Sequence, residues 1–268
     1  MSAQNLSQLL DKMWLDYTAI NPLAQKIFDT LTAEGEVLSN DHIALRTFNH
    51  PRISVDVLAR PFLAWGYEEK GDYQFTEKRL YAKHFEHTDP KMPKIFISEL
   101  KLEEFSPELR QTVDALVAQI PEGLELSNDF TSIGRPWNVS SEIYDTILKE
   151  SDYAAWVAAF GYRPNHFTVY INDLKKYSDI KVLNNFLKEK GFKLNSSGGE
   201  IKGSPEVLLE QSSTLANNIE VEFSDKKRTI PACYYEFAKR YAMPDGKLYQ
   251  GFVAASADKI FESTSKGQ

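Results

Sequence analysis

The chain has 268 residues, a formal net charge of −7 and 42% hydrophobic residues, a balance that supports a real core and argues against wholesale disorder. The densest basic run, Lys226-Lys227-Arg228, is too short for the stripe that nucleic acid needs, and no run approaches the roughly 20 apolar residues of a membrane span. Cys233 is the only cysteine, so an internal disulfide is excluded, and Asp11 and Lys12 interrupt the stretch where a signal peptide would be apolar; the expectation is a soluble cytoplasmic protein with no nucleic-acid or membrane partner.

Leu9, Leu10, Met13, Trp14 and Tyr17 fall at helical spacing, and Asn21-Pro22 opens a second helix with Leu23, Ile27 and Leu31. Residues 41–48 read as a strand, 54–65 as a helix ending at Gly66, and 73–75, 80–87 and 94–100 as three strands. A long helical stretch over 106–161 is broken at Pro121, Gly134 and Pro136. Strands return at 165–171, followed by a helix near 179–190 that ends at Gly191. Further strands are expected near 207–215, 219–223 and 229–239, and a short helix over 257–261.

This order contains a repeat. Each copy runs strand, helix, Gly-aromatic, then three strands, and a histidine stands in each first strand. From His42 to Gly66 and from His166 to Gly191 the intervals are 24 and 25 residues. Alternation places His42, Ala44, Arg46 and Phe48 on one strand face, and His166, Thr168 and Tyr170 on one face of the matching strand. The opposite faces are mostly aliphatic and suit packing under a helix. A pseudo-two-fold axis would bring both histidines to one cleft.

A single mid-strand histidine is more often a hydrogen-bonded structural residue; two at equivalent places point to a metal. Two histidines and one carboxylate leave three positions open on an octahedral ion, the donor set of non-haem Fe(II) oxygenases. The last strand of each repeat offers a carboxylate, Glu99 or Glu236, both set among apolar residues where an unpaired charge is costly. The bland reading of Glu236 is an ion pair with Lys239 or Arg240. Arg46, four residues after His42 and roughly 13 Å along the strand, could hold a carboxylate whose other end sits on the metal; the bland reading is a salt bridge at the cleft rim. His84 and Glu86 read as a solvated surface pair, Cys233 as core, and Glu220 and Glu222 as the outer face of a half-exposed strand. No Gly-x-Ser-x-Gly or Gly-x-Gly-x-x-Gly motif is present.

At these residues the sequence resembles the 2-oxoadipate dioxygenase/decarboxylase family of the vicinal oxygen chelate superfamily. The likeness rests on D-H-I-A-L-R-T-F, P-K-I-F-I-S-E-L, N-H-F-T-V-Y-I-N, Y-Y-E-F-A-K-R and G-F-V-A-A-S-A-D-K-I-F-E-S-T, and covers most of the chain, from about residue 5 to 264. It implies Fe(II) held by His42, His166 and Glu236, with Zn, Ni or Mn as substitutes in purified protein, and Arg46 holding the substrate. It also implies conversion of a 2-oxo dicarboxylic acid, 2-oxoadipate, with O2 to 2-hydroxyglutarate and CO2. Family members are considerably longer, with extra segments shaping the pocket, so this chain reads as a compact member.

The expected fold is α+β: two βαβββ modules (41–100 and 165–240) around one metal cleft, with helices over 1–40 and 101–164 and a tail over 241–268. Two other readings are a Zn-type hydrolase or isomerase on the same fold, and a non-catalytic binding module.

Overall fold

The computed structural model describes residues 3–253, so the helix expected over 257–261 lies outside the described residues. Helices α1 (Leu6–Ile20) and α2 (Pro22–Ala33) come first. The Asn5 side chain accepts a hydrogen bond from the Gln8 N–H and so starts α1; Pro22 occupies the first turn of α2, where its missing N–H costs nothing.

The first repeat follows as β1 (Asn40–Phe48), α3 (Val55–Ala64), β2 (Tyr67–Phe75), β3 (Leu80–His87) and β4 (Lys94–Leu100). Between the repeats lie α4 (Pro107–Val117), α5 (Ser141–Glu150) and α6 (Asp152–Phe160), each begun by a serine whose side chain accepts from an early backbone N–H. The second repeat contains β5 (His166–Tyr170), α7 (Ile180–Glu189), β6 (Lys202–Ser204) and β7 (Leu209–Ser213). A hairpin, β8 (Asn218–Glu222) and β9 (Lys227–Pro231), precedes the closing strand β10 (Glu236–Arg240).

Eight strands form one sheet in the order β2-β3-β4-β1-β5-β10-β7-β6. From the centre outward each half runs first, last, third and second strand of its repeat. In each half the first and last strands are parallel, and β1 meets β5 antiparallel at the middle. The paired βαβββ arrangement expected of a vicinal oxygen chelate protein is therefore present. Helix α3 packs on β2 and β4, and α7 on β7 and β10.

Four expectations need correction. The 219–223 segment is not a strand of the repeat sheet but half of the separate β8–β9 hairpin. The expected strand over 229–239 is two strands, cut where Pro231, which has no N–H to donate, ends β9. The repeat's true second strand, β6, is three residues of Lys-Gly-Ser, which carry no β signal. In the first repeat β2 begins at Tyr67, earlier than expected; its Glu68, Glu69 and Lys70 are exposed charges on an edge strand, which keep that edge from pairing with other chains.

One continuous apolar core joins both halves and the helices. Trp14 and Tyr17 of α1 each lie 5.0 Å from the Phe167 ring, centroid to centroid. The Tyr17 hydroxyl donates to the Tyr234 carbonyl at 2.6 Å, so the first helix fixes the backbone just before β10. Every residue of α6 after Asp152 is buried, which explains the absence of an amphipathic pattern there.

Candidate metal centre and its surroundings

The central register sets the site. Across β1 and β5, His42 faces Thr168 and Ala44 faces His166; across β5 and β10, Thr168 faces Glu236. The three side chains meet on one sheet face. His42 Nε2 lies 3.4 Å from Glu236 Oε1, and His166 Nε2 lies 3.5 Å from Glu236 Oε2. The imidazole rings stand 5.5 Å apart at 85°. Exposure is 3% for His42, 5% for His166 and 1% for Glu236. Among the described residues this is the one group of three or more His, Cys, Asp or Glu side chains close enough to share an ion.

The chemistry of the donors fits a divalent metal. Bonds of about 2.1 Å at right angles put neighbouring ligand atoms about 3 Å apart, close to the spacing found. The ion-pair reading of Glu236 does not hold: Lys239 donates to the Ser178 carbonyl, and Arg240 turns to Asp41. Burial raises the Glu236 carboxyl to about 8, against the opposing hydrogen bond from Gln211 Nε2 at 2.6 Å. Burial also lowers both histidines, His166 well below its ordinary value with the His42 and Arg46 charges adding to the effect. The result is two neutral imidazoles beside a buried acid.

A pH dependence follows. Below about pH 8 the metal-free Glu236 keeps its proton, and an entering metal must displace it. Apparent metal affinity should rise with pH, by up to about tenfold per unit, and flatten above that value. Calorimetric titration at neutral pH in two buffers of different ionisation heat should show proton release; zero release would remove Glu236 from the ligand set.

The residue before each histidine orients it. His42 Nδ1 donates to Asp41 Oδ1 at 2.8 Å, and His166 Nδ1 donates to Asn165 Oδ1 at 3.1 Å. A carboxylate can only accept, so the His42 proton sits on Nδ1 and the Nε2 lone pair faces the cleft. A register shift between Asn40 and His42 accompanies Asp41's turn toward its neighbour. Arg240 in turn donates to Asp41 from Nε at 2.5 Å and from Nη2 at 2.8 Å. Burial alone would raise the Asp41 carboxyl, but the Arg240 charge and the donated hydrogen bonds hold it well below the usual range. Arg240 also donates to the carbonyls of Tyr249 and Gly251, which fixes Phe252 over the site with its ring 4.8 Å from that of His42. Asn165→Ala should weaken metal binding by about 10–100-fold without unfolding the chain, since such partners aim the ligand but do not bind. Unchanged affinity in a metal titration would show the Asn165 contact to be incidental.

Arg46 is buried, 3% exposed, rather than at an exposed rim. Its guanidinium lies 5.0 Å from the Tyr153 ring centre and 5.2 Å from that of Trp156. Both aromatics belong to α6 and are pinned: the Tyr153 hydroxyl donates to the Ser98 carbonyl at 2.7 Å, and Trp156 Nε1 to the Ala232 carbonyl at 2.6 Å. The inter-repeat segment thus shapes the surroundings of Arg46.

Glu99 does not join the cluster. Its Oε2 accepts from the Val55 N–H at 2.8 Å, at the start of α3 on the other side of the sheet. By the repeat, the counterpart of Glu236 is Phe96, which faces Ala44 as Glu236 faces Thr168. His84 is not solvated: it is buried, with Nδ1 2.9 Å from the Tyr73 hydroxyl and Nε2 3.0 Å from Glu86. Cys233 is buried, as a core residue should be. Sequence reasoning missed Asp41, Asn165, Gln211, Tyr153, Trp156 and Phe252. The signal available was a polar acceptor directly before each histidine.

The family model described as 2-oxoadipate dioxygenase/decarboxylase matches residues 7–250. An Arabidopsis thaliana protein named "2-oxoadipate dioxygenase/decarboxylase, chloroplastic" is 34% identical over 97% of this chain and 77% of its own length. The solved rice (Oryza sativa) hydroxyglutarate synthase, in complex with 2-oxoadipate, is 32% identical with a TM-score of 0.91, over 97% of this chain and 91% of that one. The length deficit expected from the resemblance is thus small against that structure. A Shewanella frigidimarina protein provisionally described as a hydrolase is 52% identical with a TM-score of 0.91, over 95% of this chain and 100% of that one.

Proposed function

This chain belongs to the 2-oxoadipate dioxygenase/decarboxylase family, and from that membership we propose that it uses O2 to decarboxylate a 2-oxo dicarboxylic acid, 2-oxoadipate, at a metal held by His42, His166 and Glu236. The observation that carries the reading is the buried two-histidine, one-carboxylate set with a buried arginine on the same strand face. The reaction balances as 2-oxoadipate and O2 giving 2-hydroxyglutarate and CO2.

Fe(II) is the metal that suits this donor set, and when bound it supplies Lewis acidity toward the 2-oxo acid and the electrons for O2 chemistry. The chain does the rest. Asp41 and Asn165 hold the two imidazoles with their Nε2 atoms toward the cleft, and Gln211 aims the Glu236 carboxylate. Arg46, backed by Tyr153 and Trp156, takes the distal carboxylate and so measures chain length. The Phe252 ring shields the His42 side from bulk water.

The test is anaerobic Fe(II) loading followed by O2 uptake with 2-oxo acids of four to seven carbons, with and without a distal carboxylate. Uptake should depend on Fe(II) and be greatest with the six-carbon diacid. Absence of uptake, with hydrolysis or isomerisation by the Zn-loaded protein instead, would overturn the proposal.

A further inference from the structure

His42, His166 and Glu236 are all buried, so something must move before a substrate can reach them. Phe252 is the cover on the His42 side. Its ring lies 4.8 Å from that of His42, 4.9 Å from Phe96 and 5.4 Å from His84, centroid to centroid. Phe252 belongs to no strand. The Tyr249 N–H still pairs with the Tyr241 carbonyl, but beyond it the chain is tied by side chains. Arg240, from the second repeat, donates to the Tyr249 and Gly251 carbonyls at 3.0 and 2.9 Å. Tyr73 of β2, from the first repeat, accepts the Phe252 N–H on its hydroxyl at 3.2 Å.

The Tyr73 hydroxyl is itself held. The Glu86 carboxylate can only accept, so the His84 proton sits on Nε2, 3.0 Å away. That hydrogen bond keeps the Glu86 carboxyl below its ordinary value. In the neutral imidazole Nδ1 is then an acceptor, and the Tyr73 hydroxyl donates to it at 2.9 Å. The chain Glu86, His84, Tyr73, Phe252 has every donor matched to an acceptor. The backbone makes room for it. Strand β2 bulges between Glu69 and Gly71, and Gly71 stands opposite His84. A Cβ at position 71 would come 3.1 Å from the His84 ring and 3.2 Å from the Tyr73 hydroxyl, so any side chain there would press on the pair.

We propose that Tyr73 is a positioning residue: anchored by His84 and Glu86, it latches residues 249–252 so that the Phe252 ring closes the metal cleft, and release of that latch admits metal and 2-oxo acid. This rests on the metal reading of His42, His166 and Glu236, and the experiment separates the two. Wild type, Tyr73→Phe, Phe252→Ala and the double variant are compared. Hydrogen exchange is followed at the Phe252 amide of the metal-free protein. Zn(II) uptake and its release to excess chelator are timed, and Zn(II) affinity is measured at equilibrium.

Tyr73→Phe keeps the ring and removes one hydroxyl. The Phe252 amide should exchange roughly fivefold faster, as loss of one hydrogen bond implies, while amides of β1 and β5 keep their protection. Zn(II) uptake and release should both quicken by a similar factor, leaving affinity within about twofold, because a latch lies on the path and not among the ligands. Phe252→Ala should quicken both at least as much. Tyr73→Phe should then add less than about twofold, since it acts through a ring that is gone. Unchanged exchange at Phe252 would show that Tyr73 does not hold the segment and overturn the proposal. Faster exchange with unchanged Zn(II) rates would overturn it too, by placing the entry elsewhere. Additive effects in the double variant, with a lower unfolding midpoint and weaker affinity, would make Tyr73 a structural support. Wild type that takes up no Zn(II) would sink the metal reading and the latch together; normal uptake with equal rates in Tyr73→Phe would sink the latch alone.

Discussion

Replacing His42, His166 or Glu236 with alanine should each cost more than about 100-fold in metal affinity, beyond the 10–100-fold that changes around a ligand cause. With three protein ligands, loss of one leaves a two-point contact and frees a coordination position to water. The variants should remain folded. Glu236→Ala removes a carboxyl whose burial is already unfavourable, and the histidines sit in a sheet whose hydrogen bonds do not involve their rings. Glu99→Ala is the matched control: Glu99 caps α3 from the other face, so that variant should keep its metal while losing some stability. Full metal occupancy in His42→Ala, His166→Ala or Glu236→Ala, measured by elemental analysis after dialysis, would remove that residue from the site.

Arg46→Ala should lower kcat/KM for a dicarboxylic 2-oxo acid by at least about tenfold, with metal binding nearly unchanged. The guanidinium is buried between fixed aromatic rings, so its loss is not made good by water or by a nearby side chain swinging in. Monocarboxylic 2-oxo acids of similar length should lose much less, because they present nothing for it to hold. Lysine at 46 should rescue only in part: a point charge lacks the two-pronged contact and does not stack between Tyr153 and Trp156 in the same way. Equal losses for both substrate classes, or loss of the metal, would make Arg46 a support for β1 instead.

Much of the fold was legible because a repeat shows itself through element lengths. His42 and His166 stand at the same place in β1 and β5 because strand, helix and glycine recur at one interval. The choice between Glu99 and Glu236 was not legible from strand composition. It depends on register, and the parallel pairing equates Glu236 with Phe96, leaving Glu99 on the wrong face. Arg240 looked like a partner for Glu236, but residues four apart on a strand stand roughly 13 Å apart, and the guanidinium found Asp41 across the sheet. The β8–β9 hairpin has the alternation of an ordinary strand pair, so nothing in its residues says that it lies outside the main sheet. Tyr153 and Trp156 were missed because α6 is apolar on every side, and such a pattern does not reveal which strand the helix covers.

The most direct test of the account is the fate of oxygen. The Fe(II)-loaded protein, given 2-oxoadipate and isotopically heavy O2, should release one CO2 per O2 consumed. Both heavy atoms should appear in the five-carbon product, one in the new carboxylate and one in the hydroxyl, and none of this should occur with His42→Ala. Turnover of 2-oxoadipate without O2 consumption, or a product carrying oxygen only from water, would contradict it.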